Sequence, residues 1–542
     1  MANSTKACLV LANGLVFEGK GFGASGCIIG ESVFTTGMNG YLETLTDPSY
    51  YGQIVTQTFP LIGNYGVIPK DFESAACHVR GYIVRSWCET PSNFRCNGDL
   101  DSYLKSQNII GLYDIDTRAL TKVLRESGVM NGMLVSGDSD EAKEIFKALR
   151  SPAKKEVLLE KIKAYKITNA VESVTCSAVK IEETADVVFE ESAKYRFVPV
   201  RTDGTKENDP IKAMNDGKGK KVVLWDFGAK ANIRRELLKR CLEVITVPSS
   251  TTAQQIMDIN PDGIMLSNGP GDPQDNVTVL KELKKLTKSG IPIFGICLGH
   301  QLLALAMGAD TMKLKYGHRG GNQPVKHLGS GRVYISSQNH GYAVKNETLP
   351  RGAALSFVNT NDGTCEGITY TKIPAFSVQF HPEACSGPLD TSFLFDDFVH
   401  LINNHSYFED YKPVYKRIDS IEYFASTIKT TKNNSDEEIE NTSETKKVTK
   451  KAVKKTASVK KAVSKTSPKK TSTTKPVAKK ATAKKEASVK KQTVKTPSKK
   501  ASTTKKATKA SVKTTAKKVA KKTTATKAAA KKTVTKTTKR SK

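Results

Sequence analysis

An α/β protein of two domains with a trailing basic tail is the fold class this sequence predicts, on three observations. Residues 220–405 alternate short apolar strands with amphipathic helices, the pattern of a mostly parallel sheet covered on both faces. Residues 1–200 carry short alternating segments broken by glycine, with one clear helix, and read as a separate α+β domain. From Lys446 to Lys542 there are 36 lysines and arginines against one acid, Glu486, and no Phe, Trp or Tyr. That segment has nothing large and apolar with which to close a core, so it is expected to be disordered when free.

In the first domain, Cys8 to Gly19 and His78 to Trp87 read as strands. Asp116 is placed to cap a helix whose stripe is Ala119, Leu120, Val123 and Leu124, and Gly128 ends it. Residues 201–219 form a polar, glycine-bearing linker. KVVLWDFG, EVITVPS, PDGIMLSNGPGDP and IPIFGIC then read as four strands. Ile233, Leu237, Leu238 and Cys241 give one intervening helix its face; Val279, Leu280, Leu283 and Leu286 give another. Residues 406–445 are a second polar linker with an acidic patch, Asp436 to Glu440.

The net charge of +31 belongs to the tail, because the 49 basic and 53 acidic residues before it leave a near-neutral body. A chain of 542 residues is too long for one core. Its ten cysteines include no CxxC pair, so no metal site and no redox dithiol are expected. The opening MANSTKACLVLANG lacks a signal peptide's basic flank and long apolar run. No window reaches the roughly 18 apolar residues that a membrane span needs, so no membrane partner is expected. A reducing, soluble compartment, the cytoplasm, is the expectation.

Chemistry concentrates where strands end. In Gly295-Ile296-Cys297-Leu298-Gly299 an apolar strand stops, small residues flank a cysteine, and an apolar helix begins at once. A sharp turn of this kind lifts a nucleophile clear of the sheet. The positive end of the helix dipole favours a thiolate, and the unpaired first N–H groups suit an oxyanion. On this turn alone, Cys297 reads equally well as a small core residue. Further on, AFSVQF delivers His381 with Glu383 two positions later, a base and its orienting carboxylate for a thiol nucleophile.

With SNGPGDP, GICLGHQ and HPE together, residues 220–405 resemble the class I glutamine amidotransferases. Thr35 to Val55, Lys315 to Val325 and Ser336 to Val344 are similar to the small subunit of carbamoyl-phosphate synthase, including its separate N-terminal domain. The resemblance spans about residues 5–405 and implies the roles that follow. Cys297 would attack the side-chain amide of L-glutamine, His381 would move the protons, and Glu383 would orient it. Gly271 and Leu298 match the backbone donors of the oxyanion hole. Ser49, Gly269, Gln301, Asn339, Gly341 and Tyr342 match positions that hold glutamine, although phenylalanine is common where Tyr342 stands. His300 and His340 read as packing residues. Some relatives carry serine at the nucleophile; cysteine here implies an active glutaminase. The family places ATP and Mg on a separate large subunit, so this chain is expected to carry no cofactor, to have that subunit as partner, and to pass ammonia to it. The tail is similar in composition to linker-histone tails. Two readings stand for it, non-specific contact with nucleic acid or another polyanion and a solvated extension. The rival to the glutaminase is a nucleic-acid-associated scaffold acting through that tail.

Overall fold

The computed structural model describes residues 5–183 and 217–406. The expected linkers and tail therefore fall outside the described residues, apart from 217–219 and residue 406.

Seven strands of the first domain close into a barrel: β1 (Thr5–Leu11), β2 (Val16–Gly23), β3 (Gly26–Thr35), β4 (Gln53–Gln57), β6 (Gly81–Ile83), β8 (Ile110–Tyr113) and β9 (Met130–Ser136). Around the ring the order is β1-β2-β8-β6-β4-β3-β9, and β9 returns to β1. Two minor strands, β5 (Leu61–Ile62) and β7 (Ser86–Trp87), pair beside it. Period-two alternation explains why β1 is buried on both sides. Ala7, Leu9 and Leu11 meet Leu120 and Leu124 of the helix Thr117–Ser127. Cys8 and Val10 meet Ile145, Leu159 and Ile162 of the helices Asp140–Ala148 and Pro152–Lys163. The helix expected after Asp116 is present: that side chain accepts from Ala119 N at 2.9 Å, and Gly128 ends it at φ 90°.

The second domain is built on ten strands in the order β10-β12-β11-β13-β14-β19-β18-β17-β15-β16. Its parallel centre is β11 (Lys221–Asp226), β12 (Glu243–Pro248), β13 (Gly263–Leu266), β14 (Ile293–Ile296) and β19 (Ala375–Val378). The first four are the strands expected from the sequence, and β19 lies in the expected AFSVQF run. An antiparallel arm extends the sheet through β18 (Cys365–Tyr370), β17 (Ala353–Asn359), β15 (Thr311–His327) and β16 (Val333–Val344).

Alternate strand residues face opposite helical layers. Val223, Trp225, Ile264 and Leu266 pack with the helices Ala253–Asp258, Val277–Leu286 and Leu298–Met307. Val222, Leu224, Met265 and Phe294 pack with Ala231–Leu238 and Leu394–Asn404. Phe294 stacks on Phe376 at 4.4 Å and meets Phe395 edge-on at 5.7 Å. Burial of each such ring contributes about 2–3 kcal/mol. Cys241 lies past the helix it was expected to join, at φ 59°.

One expected boundary is corrected. Within the span expected for the first domain, Val171 already packs in the core of the second sheet. Thr175 Oγ1 then donates to Asp226 O at 2.6 Å, and β10 (Lys180–Glu182) pairs antiparallel with β12. The chain joins the second sheet by β10 because backbone pairing decides membership, and that strand, with Lys180 and Ile181 exposed, carries no apolar pattern.

Candidate active site

The carboxyl ends of the parallel strands converge on one cavity. Ile296 and Val378 are register partners on β14 and β19, and Cys297 N donates to Val378 O at 2.9 Å. Cys297 therefore stands one residue past one strand, and His381 three past its neighbour. Cys297 holds φ 53°, ψ −102° at the cap of the helix Leu298–Met307, a left-sided backbone rarely adopted by a side-chain-bearing residue. The turn closes because its glycines are small. A Cβ on Gly299 would lie 2.4 Å from Leu266 O, and one on Gly295 2.8 Å from Gly299 O.

Cys297 is buried, with its Sγ 3.8 Å from Asn339 O. The buried His381 donates from Nδ1 to Glu383 Oε1 at 2.6 Å, while its Nε2 has no hydrogen-bond partner. Burial, the largest effect, opposes protonation of His381, as does the nearby Lys230. Glu383 and the Cys297 sulfur outweigh both and push the imidazole up to about 9. Burial likewise opposes ionisation of Glu383, but His381 and Lys230 hold its carboxyl below the usual range. The pair is thus biased toward imidazolium and carboxylate.

A cavity of about 450 Å³ is lined by Ser49, Gly269, Gly271, Cys297, Gln301, Asn339, Gly341 and Tyr342, eight of the eleven residues singled out from the sequence. Leu298 is buried as the first helical residue beyond Cys297, where an N–H has no partner within its helix. His381 and Glu383 lie outside the lining. Gln301 donates from Nε2 to Tyr342 O at 2.8 Å and to Gln379 Oε1 at 2.9 Å, which leaves its side-chain oxygen as the acceptor it can offer. Ser49 Oγ accepts from Asn268 Nδ2 at 2.9 Å, which leaves its own proton to donate. His300 bonds Ser377 Oγ at 2.9 Å, and His340 bonds Tyr342 O at 2.7 Å, in keeping with packing roles.

The structure adds residues that the sequence reading missed. The ammonium of Lys230 lies 3.5 Å from Asp47 Oδ2 and 3.7 Å from Glu383 Oε1. Asp47 also accepts from Asn339 Nδ2 and Ser49 N, both at 2.9 Å. Burial works against its ionisation, but Lys230, His381 and these two donors hold its carboxyl low. Asn232 Nδ2 donates to Glu383 O at 2.6 Å. A cation just before the helix Ala231–Leu238, where the dipole disfavours it, was the available signal for Lys230. Asp47 sits in a loop with no distinguishing pattern.

Among the described residues, one group offers a metal-like geometry: His318, His340 and Glu366 have donor atoms within 4.8 Å of one another. His318 bonds Asp362 at 2.9 Å and lies 3.4 Å from Glu366. Burial disfavours its charge, yet these two carboxylates push it up to about 9, so its own proton supplies the positive charge there.

Comparisons with known proteins place the chain in a family. Residues 223–401 match the model for glutamine amidotransferase class-I, and residues 9–134 match that for the carbamoyl-phosphate synthase small chain, CPSase domain. The chain is 46% identical over 394 residues to the carbamoyl phosphate synthase small chain of Clostridium perfringens (strain 13 / Type A), covering 73% of this chain and 99% of that one. It is 47% identical over 400 residues to that of Bacillus cereus (strain ATCC 10987 / NRS 248), covering 74% and 96%. An elbow-borne cysteine, a carboxylate-bound histidine and a dedicated barrel domain thus come together in one chain. It belongs to the carbamoyl phosphate synthase small-chain family, as a glutamine-hydrolysing subunit with a class I amidotransferase domain.

Proposed function

We propose that Cys297, His381 and Glu383 carry out the glutaminase chemistry and that ammonia leaves through a second cavity to a separate large subunit. The observation that carries this reading is His381, with Nδ1 bound to Glu383 and a free Nε2 beside the Cys297 sulfur. Glutamine enters the first cavity with its side-chain amide toward Cys297. The thiolate attacks the amide carbon, and the oxyanion forms against the N–H groups of Leu298 and Gly271. His381 gives its proton to the departing nitrogen, so the C–N bond breaks to ammonia and a thioester remains. Water then yields a proton to His381 and attacks the thioester, whose C–S bond breaks to release glutamate and restore the thiolate beside the protonated His381.

A second cavity of about 400 Å³ lies across Asn339, a residue common to both linings, and is lined by Asp47, Lys230 and Gly387 among others. Met38 and Pro388 belong to its lining; Met38 is 74% exposed, and Leu389, next to Pro388, is 54% exposed. An apolar rim at the outlet suits a protein partner, here the large subunit that makes carbamoyl phosphate from bicarbonate. ATP and Mg belong on that partner, because no step above needs either. Among the described residues no helix is long and apolar enough to cross a membrane. The scattered cysteines support a cytoplasmic location. For residues 446–542, charge alone supports an added, salt-sensitive contact with polyanions, beside the glutaminase and not in its place.

Cys297→Ser tests the core of this reading. In the complex with its large chain, glutamine-dependent synthesis is expected to vanish while ammonia-dependent synthesis persists. Steady-state glutaminase turnover by the mutant would overturn the assignment.

A further inference from the structure

We infer that Glu73, a residue of the barrel domain, is a positioning residue for the triad, holding the helix Ala231–Leu238 so that its leading residues grip Glu383. This rests on the glutaminase reading above. Glu73 is 3% exposed and touches no reacting atom. Its Oε2 accepts from Asn232 N at 3.0 Å, and its backbone oxygen accepts from Ala231 N at 2.8 Å. One residue therefore takes two of the N–H groups that the start of a helix leaves without partners. The same three residues, Lys230 to Asn232, place the Asn232 amide 2.6 Å from Glu383 O and the Lys230 ammonium 3.7 Å from Glu383 Oε1. Glu73 is anchored in turn, since its N–H donates to Thr46 Oγ1 at 2.9 Å, immediately before Asp47. Both ends of the Lys230 bridge are thus fixed from the barrel side.

Charge adds a second link. Lys230, Glu383, Arg235, Glu43 and Cys385 are the ionisable groups that act on Glu73 or feel it. Burial and Glu383 push its carboxyl up to about 7 while Lys230 and Arg235 pull the other way. Part of the field of Lys230 is therefore absorbed by Glu73. With that carboxyl replaced by an amide, more of the field falls on His381, where it opposes protonation. The helix contact and the charge act on the same catalytic pair.

The test uses the full chain with Glu73→Gln, which keeps size and an acceptor oxygen. Glutaminase kcat is expected to fall about 10- to 100-fold, as for a small misplacement remote from the chemistry, with KM for glutamine within about twofold. The high-pH fall of kcat/KM for glutamine, set by His381, is expected to move toward lower pH, a readout that a merely structural role leaves in place. Should the first variant not fold, Asn232→Ala keeps the backbone N–H that Glu73 accepts but removes the side-chain bond to Glu383 O, and it is expected to shift that profile too. A folded Glu73→Gln with unchanged kcat, or with a lower melting temperature and an unmoved pH profile, overturns the inference. Absence of glutaminase in the unmodified protein would instead overturn the functional reading on which it rests.

Discussion

The two walls of the active site are built by different rules. On the amidotransferase side, Cys297 and His381 follow directly after β14 and β19, whose register sets their spacing. Each side chain is placed by its own strand and turn. On the barrel side, Asp47 and Glu73 come from loops and Ser49 from the single 3-10 turn Pro48–Tyr50, and all three reach the site only because the barrel docks on the sheet. The docking contacts include Thr36 N to Arg319 O at 3.2 Å, Lys313 to Glu31 at 2.6 Å and the ring of Phe34 against Tyr316 at 6.1 Å. One wall holds the reacting atoms with the carboxylate that orients His381, and the other adds groups that brace them. A chemical motif on one domain can thus depend on a neighbour that supplies no reacting atom.

Lys230 joins the walls, so its loss should have the largest effect. Lys230→Met would leave Asp47 and Glu383 buried without their cation, a cost of about 3–5 kcal/mol for breaking a buried pair. A markedly lower melting temperature and a fall in glutaminase of about 100-fold or more are expected; a near-normal protein would show that the walls act independently.

The reacting wall has its own signature in pH. The raised His381 is protonated below about 9 and loses its proton above it. Loss of the proton removes the acid that releases ammonia, so kcat/KM for glutamine is expected to fall as pH rises through that value. A profile flat to pH 10 would contradict the imidazolium assignment. Ser49→Ala removes a barrel-side hydroxyl and its bond from Asn268 without touching the reacting atoms. Loss of one hydrogen bond should raise KM about fivefold and leave kcat and the pH limb in place. Deletion of residues 446–542 touches neither wall. Glutaminase should be unchanged, while binding to duplex DNA at low salt, read by titration, should disappear. Equal DNA binding by both forms would remove the tail from the account.

This division also explains what was legible in the sequence. The elbow at Cys297 and the His381–Glu383 step are local, because strand, turn and side-chain type occur within a few residues. The four parallel strands were legible for the same reason, each being a buried apolar run between turn residues. Barrel closure was not, since β6 is three residues long and its parallel pairing with β4 and β8 joins distant segments. Family likeness supplied Ser49 and Asn339, but Asp47, Glu73 and Lys230 are ordinary polar residues until the fold buries them together. No pattern in the chain marks Glu73 at all.

The short helix Tyr41–Thr46 ties a surface position to the site. Met38 lies before it, and Asp47 and Ser49 follow its last turn. Stacking of Tyr41 on Tyr65 at 4.1 Å and burial of Leu42 and Leu45 fix it against the barrel. Each helical residue advances the chain by about 100° of rotation. Insertion of a single residue would therefore turn Asp47 away from Lys230 even if every side chain were retained. The length of this segment is under tighter constraint than its composition, and a lineage could change its outer surface residue by residue but not its phase.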